Sequence, residues 1–338
     1  MARFPERVTL TWLDRDNLDT RDVAGAVAVL EAARRVDTPR WPITTTRAFT
    51  AGVTYGWDGD RDEVALQRDK TGRPVALLRY GLPSWDNTHL GFLDIQVDPR
   101  DRRQGIGRAL FQAGVERLRA EGRTMVLAES GDAEASVAFA AAVGLERAQD
   151  VVQRWQDLTA LDWRGLDSAY ADAEAHAVGY ELVPLAGPVP ESMKSAVCDI
   201  TAAINDAPLD DLDVEDESFT PERLRAFEHM QDLLGRRIYR FFARETATGV
   251  LAGVTVVAVD SEQPWVAEQY DTSVAAAHRG HRLGVLLKVG MLRWLREQEP
   301  QLRQIQTWNA MSNAHMIAVN EQLGYQVMMS GVEWQLHL

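Results

Sequence analysis

Apolar residues recur at two spacings along this chain. In short runs they fall at every second position, and in longer ones at every third or fourth, the periods of half-buried strands and of amphipathic helices. Residues 7–14 alternate like a strand, and residues 22–35 have alanine-rich helical spacing that stops before Pro39. Residues 40–59 carry Trp41, Phe49, Tyr55 and Trp57 without a clear period and read as a loop-and-helix region. Strands are expected at 64–69 and 75–80, joined by the turn Lys70-Thr71-Gly72-Arg73. An apolar strand at 92–97 leads through Asp98 and Pro99 into a basic glycine turn, then an amphipathic helix to Leu118. A strand at 124–128, a short helix at 133–142 ending at Gly144 and a strand at 151–158 close this half.

The same order returns further on. Setting Gly107 on Gly284 without a gap puts Val97 on Val274, Asp94 on Asp271 and Arg102 on Arg279. Phe139 to Leu145 finds its counterpart in Val319 to Tyr325, and Glu129 falls on Asn309. Upstream, a strand at 179–183, helices at 191–205 and 221–234, and strands at 238–244 and 251–259 follow the plan of the first half. Two modules are therefore expected, 1–160 and 179–338, joined by an alanine-rich and helical-looking linker at 161–178.

The glycine turn carries the first candidate chemistry. Successive backbone N–H groups aimed into one concavity, with a helix N-terminus behind them, suit an anion such as a pyrophosphate. Arg100, Arg102, Arg103 and Arg108 surround the turn Arg102-Arg103-Gln104-Gly105-Ile106-Gly107, whose glycines permit positive φ and close approach. A dinucleotide fingerprint would need glycine at Leu110, and a P-loop would need Gly-Lys-Ser/Thr, so both are excluded. What remains, R-x-x-G-x-G after a strand ending in Val-Asp-Pro, resembles the acetyl-CoA-binding motif of the GNAT N-acyltransferase superfamily. With its duplication, the chain looks like a tandem GNAT protein of actinobacterial type, similar in layout to mycothiol synthases.

That resemblance implies an α/β fold of two GNAT modules, each a mixed, mostly antiparallel sheet flanked by helices. It implies acetyl-CoA as cosubstrate, held by Val97 and Arg102 to Arg108 in one module. In the other, Val274, the turn Arg279-Gly280-His281-Arg282-Leu283-Gly284-Val285, and Asn313 take that part. It also implies transfer to a primary amine by direct attack, the carbonyl polarised by a backbone N–H near Val97 or Val274, where two strands splay apart. In the mycothiol synthase group the C-terminal module does the chemistry, and that division is expected here. An ammonium with pKa about 10 must lose a proton first, so a positioned carboxylate or a water chain is expected; the candidate bases on the preceding strands are Asp94 in the first half and Glu268 and Asp271 in the second. Glu268, Gln269, Asp271 and Thr272 are a polar set for a central strand and should line a cavity or a network. Structural roles for Asp94, Asp271, Asn309 and Asn313 stay open.

Two departures from the family pattern stand out. Arg282 replaces the first motif glycine of the second turn, and Ala140 and Asn320 occupy the place where many family members keep a general-acid tyrosine. The thiolate then leaves unassisted, is protonated through water, or is served by another residue such as Tyr270. A non-catalytic acyl-CoA-binding protein and a protein or peptide acetyltransferase are thus alternatives.

Composition narrows the picture further. With 46% apolar and 25% charged residues, the chain can bury substantial cores. Its net charge of −14 disfavours a nucleic-acid partner and suits a cationic small substrate. The acidic run 206–217, with seven carboxylates and no base, reads as a solvated loop. No apolar run is long enough for a membrane span, the N-terminus lacks a signal-peptide core, and the single Cys198 allows no internal disulfide, so a cytoplasmic protein is expected, as monomer or homodimer. Cys198 reads as packing. No metal is expected, since no cluster of acids or cysteines completes a set with His278 and His281.

Overall fold

Period-2 and period-3.6 segments become strands and helices largely where the pattern puts them. The computed structural model describes residues 9–338, so Arg7 and Val8 of the first expected strand lie outside the described residues. In chain order the elements are β1 (Leu10–Trp12), α1 (Thr20–Asp37), α2 (Thr46–Thr54), β2 (Glu63–Arg68), β3 (Pro74–Gly81), β4 (Leu90–Val97), α3 (Ile106–Ala120), β5 (Met125–Gly131), α4 (Glu134–Val143) and β6 (Glu146–Asp157). They continue as α5 (Trp163–His176), β7 (Tyr180–Ala186), α6 (Lys194–Thr201), α7 (Pro221–Leu234), β8 (Arg236–Glu245), β9 (Leu251–Asp260), β10 (Val266–Val274), α8 (Leu283–Gln298), β11 (Gln304–Ala310), α9 (Ala314–Gln322) and β12 (Tyr325–His337). The expected linker helix is α5, and α7 starts at a Thr220 cap with Pro221 in its first turn and stops at Gly235, φ 69°.

Two compact units result. Among the described residues, unit 1 comprises 9–149, 211–215 and 331–338, and unit 2 comprises 150–210 and 216–330. In unit 1 the strands run β1-β2-β3-β4-β5-β12, antiparallel except for β4 and β5. In unit 2 they run β6-β11-β10-β9-β8-β7, antiparallel except for β10 and β11.

Each unit closes its sheet with a strand from the far half of the sequence. The stretch expected to end the first half, 151–157, pairs with β11 in unit 2, and 331–337 pairs with β5 in unit 1. The acidic run departs from expectation too. Its alternating Leu212 and Val214 pack on Leu90, Met125 and Leu127 of unit 1, and the Glu215 backbone and carboxylate bond to Asn87. Over 211–215 the acids are the solvent side of an alternating segment, whose apolar side is half-buried.

Both faces of each sheet are covered, which is why β3 and β9 read as near-continuous apolar runs. In unit 1, α1 and α2 bury Val23, Ala26, Val29 and Phe49 on Val64, Leu66 and Leu77. Opposite, Leu110, Phe111 and Leu118 of α3 meet Leu78, Tyr80 and Leu93. In unit 2, Tyr239, Phe241 and Ala243 face Leu283, Leu287 and Met291 of α8, while Phe242 between them joins Val197 and Ile200 of α6. Each large aliphatic side chain so buried contributes about 1.5–3 kcal/mol.

Trp334, in the returning strand, packs with Ala140 and Val332 and donates its indole N–H to Ser130 Oγ at 2.9 Å. Replacing it should cost ~3–5 kcal/mol. Trp334→Ala is therefore expected to unfold unit 1 at lower urea than unit 2, seen as early protease cleavage confined to unit 1.

Candidate functional site

Each glycine turn begins where a central strand ends and stops where a long helix starts. In unit 1, Arg103 (φ 64°) and Gly105 (φ 83°) take left-handed backbone; in unit 2, Gly280 (φ 86°) and Arg282 (φ 54°) do so. In the gapless frame these are the same two positions, with glycine and arginine exchanged. Arg282 thus keeps the backbone path that the missing glycine put in doubt, at the conformational cost an L-residue bears there. Arg102 donates through Nε to the Val97 carbonyl at 3.1 Å, and Arg279 does the same to Val274 at 3.2 Å. Their outer nitrogens pair with Asp37 and Asp206.

Helices α3 and α8 start without a side-chain cap, as do α4, α5 and α6, whereas Asp19, Thr45, Thr220 and Asn313 cap α1, α2, α7 and α9. The first N–H groups of α3 and α8 therefore have no side-chain acceptor from the N-cap residue. A Cβ at Gly284 meets nothing within 4 Å, while one at Gly107 would come within 3.2 Å of the Phe139 ring. His278 and His281 gather instead around Tyr180: its hydroxyl lies 2.9 Å from His278 Nδ1, and its ring 5.2 Å from that of His281. Arg282 pairs with Asp172 of α5. Among the described residues no group of three or more His, Cys, Asp or Glu could hold a metal ion.

Just before each turn the parallel strands part. β4 and β5 are paired over Leu90–Phe92 and Met125–Leu127, and β10 and β11 over Val266–Glu268 and Gln304–Gln306; beyond these the ladders stop. Here the units differ. β4 keeps unbroken register with β3 from Phe92 to Val97. β10 does not: Gln269 faces Val257 and Thr272 faces Thr255, so Tyr270 and Asp271 together oppose Val256, a bulge. The extra residue breaks the period of 2. Gln269 and Thr272 bond to residues on the α8 side, while Glu268 and Tyr270 bond to Arg236 and Gln231 and Asp271 lies near Glu217. Asp271 is half-buried; desolvation first, and the Glu217 carboxylate second, push it up to about 6.

Strands that part before a glycine turn and a long helix occur twice in this one chain, and known structures share its fold. A tandem GNAT protein from the clavulanic acid biosynthesis pathway, solved without AcCoA, is 30% identical, with 97% of this chain and 98% of that one covered and a TM-score of 0.79. This chain belongs to the GNAT acetyltransferase family. The Acetyltransferase (GNAT) family itself matches residues 26–145. A GCN5-related N-acetyltransferase from Sphaerobacter thermophilus shares the fold at 15% identity, TM-score 0.68, over 98% and 96% of the two chains. So does Saccharomyces cerevisiae N-myristoyltransferase with bound myristoyl-CoA, at 11% identity, TM-score 0.60, over 99% and 82%. No curated protein sequence matches. The chain is thus an acyltransferase of a family that uses an acyl-CoA cosubstrate, and its two GNAT folds are those expected. No helix among the described residues is long and apolar enough to cross a membrane.

Within this tandem GNAT protein the sequence-derived residues fare differently. Val97 ends β4, Arg102 to Gly105 lie in the turn and Ile106 to Arg108 open α3; likewise Val274 ends β10, Arg279 to Arg282 lie in the turn and Leu283 to Val285 open α8. Asn313 is the cap of α9, accepting from Met316 N at 3.1 Å, and Asn309 accepts from the buried Asn320 at 2.8 Å. Asp94 pairs with Arg79 at 3.1 Å and accepts from Gln96 at 2.8 Å; Glu268 pairs with Arg236 at 3.3 Å. Tyr270 donates to Gln231 and accepts from Arg236, and burial raises it well above the ordinary tyrosine range. Cys198 is buried, its thiol raised by desolvation.

Two groups escaped the sequence reading. Glu129 on β5 lies directly across from Glu333 on β12, in a transverse row with Asp94 and Arg79. Desolvation, then Glu333 and Asp94, raise it to about 7, although it still reaches solvent. Only long-range register brings Glu333 there. Lys288, buried in α8 between Leu287 and Val289, is pushed down to about 7 by desolvation; a lysine on the apolar face of a helix was the available signal.

Two outcomes follow from this geometry. Gly284→Asp puts a carboxylate into open space at the second turn and should remove one bound acetyl-CoA in native mass spectrometry without loss of fold. For Lys288 the folded-state pKa is depressed from 10.5 to about 7, so the unfolded chain binds the extra proton between these values. Its contribution to stability is present above the unfolded value and lost as pH falls through about 7. The unfolding free energy should rise between pH about 7 and about 9 in the wild type, by more than in Lys288→Met, in paired urea titrations.

Proposed function

We propose that unit 2 transfers an acetyl group from acetyl-CoA to a primary amine of a small cationic molecule by direct attack, with Asp271 as general base. The observation that carries this reading is the β10 bulge. It turns Asp271 to the Glu217 side at the level where β10 and β11 part, and leaves a residue outside the ladder, whose backbone N–H is a donor for a carbonyl. Acetyl-CoA supplies the activated acetyl group as a thioester, and the turn Arg279 to Gly284 with the start of α8 suits its pyrophosphate. Asp271 and Glu217 attract the ammonium. A carboxylate near pH 6 takes its proton more readily than an ordinary one, so that the amine lone pair is available at neutral pH. As the C–N bond forms and the C–S bond breaks, the nitrogen gives up a second proton; one of the two reaches the departing thiolate through solvent, because the Tyr270 hydroxyl is already bonded to Gln231 and Arg236, and the other is released to solvent from Asp271.

A second reading places the acceptor in unit 1. Glu129, near 7 and beside Asp94 and Glu333, favours it. Otherwise the unit 1 turn holds acyl-CoA without turnover.

Thiol release with an amine panel separates these. Asp271→Asn should lower kcat about 100-fold, leave acetyl-CoA affinity within about twofold, and abolish the rise of kcat/KM with an apparent pKa near 6. Retention of that limb in Asp271→Asn, with its loss in Glu129→Gln, would overturn the assignment in favour of unit 1.

A further inference from the structure

Behind the bulge, on the α8 side, lies a closed polar ring. Gln269 Oε1 accepts from Lys288 Nζ and from the Tyr325 hydroxyl, both at 2.7 Å. Gln269 Nε2 donates to Thr255 Oγ1 at 2.6 Å and to Thr272 Oγ1 at 3.0 Å, and the two threonine hydroxyls share a bond of 2.7 Å. Both lone pairs and both protons of the amide are thereby used. The ammonium also sits 4.8 Å from the centre of the Tyr325 ring. Gln269 and Thr272 are the residues on either side of the register shift, so the bond between their side chains spans the bulge.

We infer that Lys288, Gln269 and Tyr325 are positioning residues, which hold the β10 bulge from the rear and so fix the aim of Asp271 on the opposite face. The duplicate module supplies the comparison. Thr272 falls on Ile95, Lys288 on Phe111 and Tyr325 on Leu145; Leu78 is the register partner of Ile95 as Thr255 is of Thr272. Leu93 faces α3 at the level where Gln269 faces α8, and all five unit 1 residues share one apolar cluster. In that unit β4 has no bulge. An apolar filling of the same space is therefore available and goes with regular pairing. Burying an amine without a carboxylate partner is costly. What the ring achieves is local geometry: with Gln269 fixed by α8 and β12 on one side and by Thr255 and Thr272 on the other, the strand cannot slip back into register.

The inference rests on Asp271 as base, and its test separates the two. Amide exchange is followed by mass spectrometry in the full chain for wild type, Lys288→Met, Gln269→Leu and the milder Tyr325→Phe, alongside acetyl-CoA affinity and amine-dependent thiol release. Exchange at 270–271 should accelerate at least about tenfold, as for one lost buried hydrogen bond, with β7 and β8 unchanged. Tyr325→Phe should give a smaller change of the same kind. kcat should fall while acetyl-CoA affinity holds, and the pH limb of Asp271 should shift. Unaltered exchange at 270–271, or equal acceleration throughout unit 2, would overturn the positioning role. If exchange responds as expected but neither wild type nor variants release thiol, the ring is upheld and the catalytic reading of unit 2 falls.

Discussion

Two parallel strands that stay hydrogen-bonded for three residues and then part set the terms for each unit. A sheet that opens in its middle leaves backbone donors and acceptors that must be satisfied by something other than a ladder. Polar side chains gather at the opening for the same reason. The chain leaves the strand there through a turn with two left-handed positions, and the following helix starts without a side-chain cap. The double layer of apolar side chains on each sheet holds this opening in place, since only strands fixed from both faces can part without collapsing.

The duplicated modules show how one frame diverges. Both keep the arginine that returns to its own strand-end carbonyl, and both keep two left-handed positions in the turn. Glycine and arginine have exchanged places between those positions, which shows that the backbone path, rather than either side chain, is the shared requirement. Behind the central strand the modules part ways, with Leu78, Leu93, Ile95, Phe111 and Leu145 in one and Thr255, Gln269, Thr272, Lys288 and Tyr325 in the other. The apolar set accompanies regular pairing and the polar set a bulge.

Local patterns were legible in the sequence. The turn at Arg102 to Gly107, its copy at Arg279 to Gly284, and the helices at 221–234 and 163–176 follow from glycine spacing, caps and period. The polar set at Glu268 to Thr272 implied a network, and one is present. Strand partners were not legible: 151–157 and 331–337 alternate like any half-buried strand, and nothing in that alternation names the neighbour. The pairing of Glu129 with Glu333 was invisible for the same reason. Leu212 and Val214 were hidden differently, since five acids within 210–216 masked a two-residue apolar period.

The exchange of terminal strands reaches beyond the folded state. Val126 in unit 1 is paired with Leu336, about 200 residues later in synthesis. As the ribosome makes this chain, unit 1 can collect its helices and five of its strands and still present an open β5 edge, of the kind that pairs promiscuously with other chains. The first unit to begin folding is thereby the last to be sealed, and its completion reports that the second has been made.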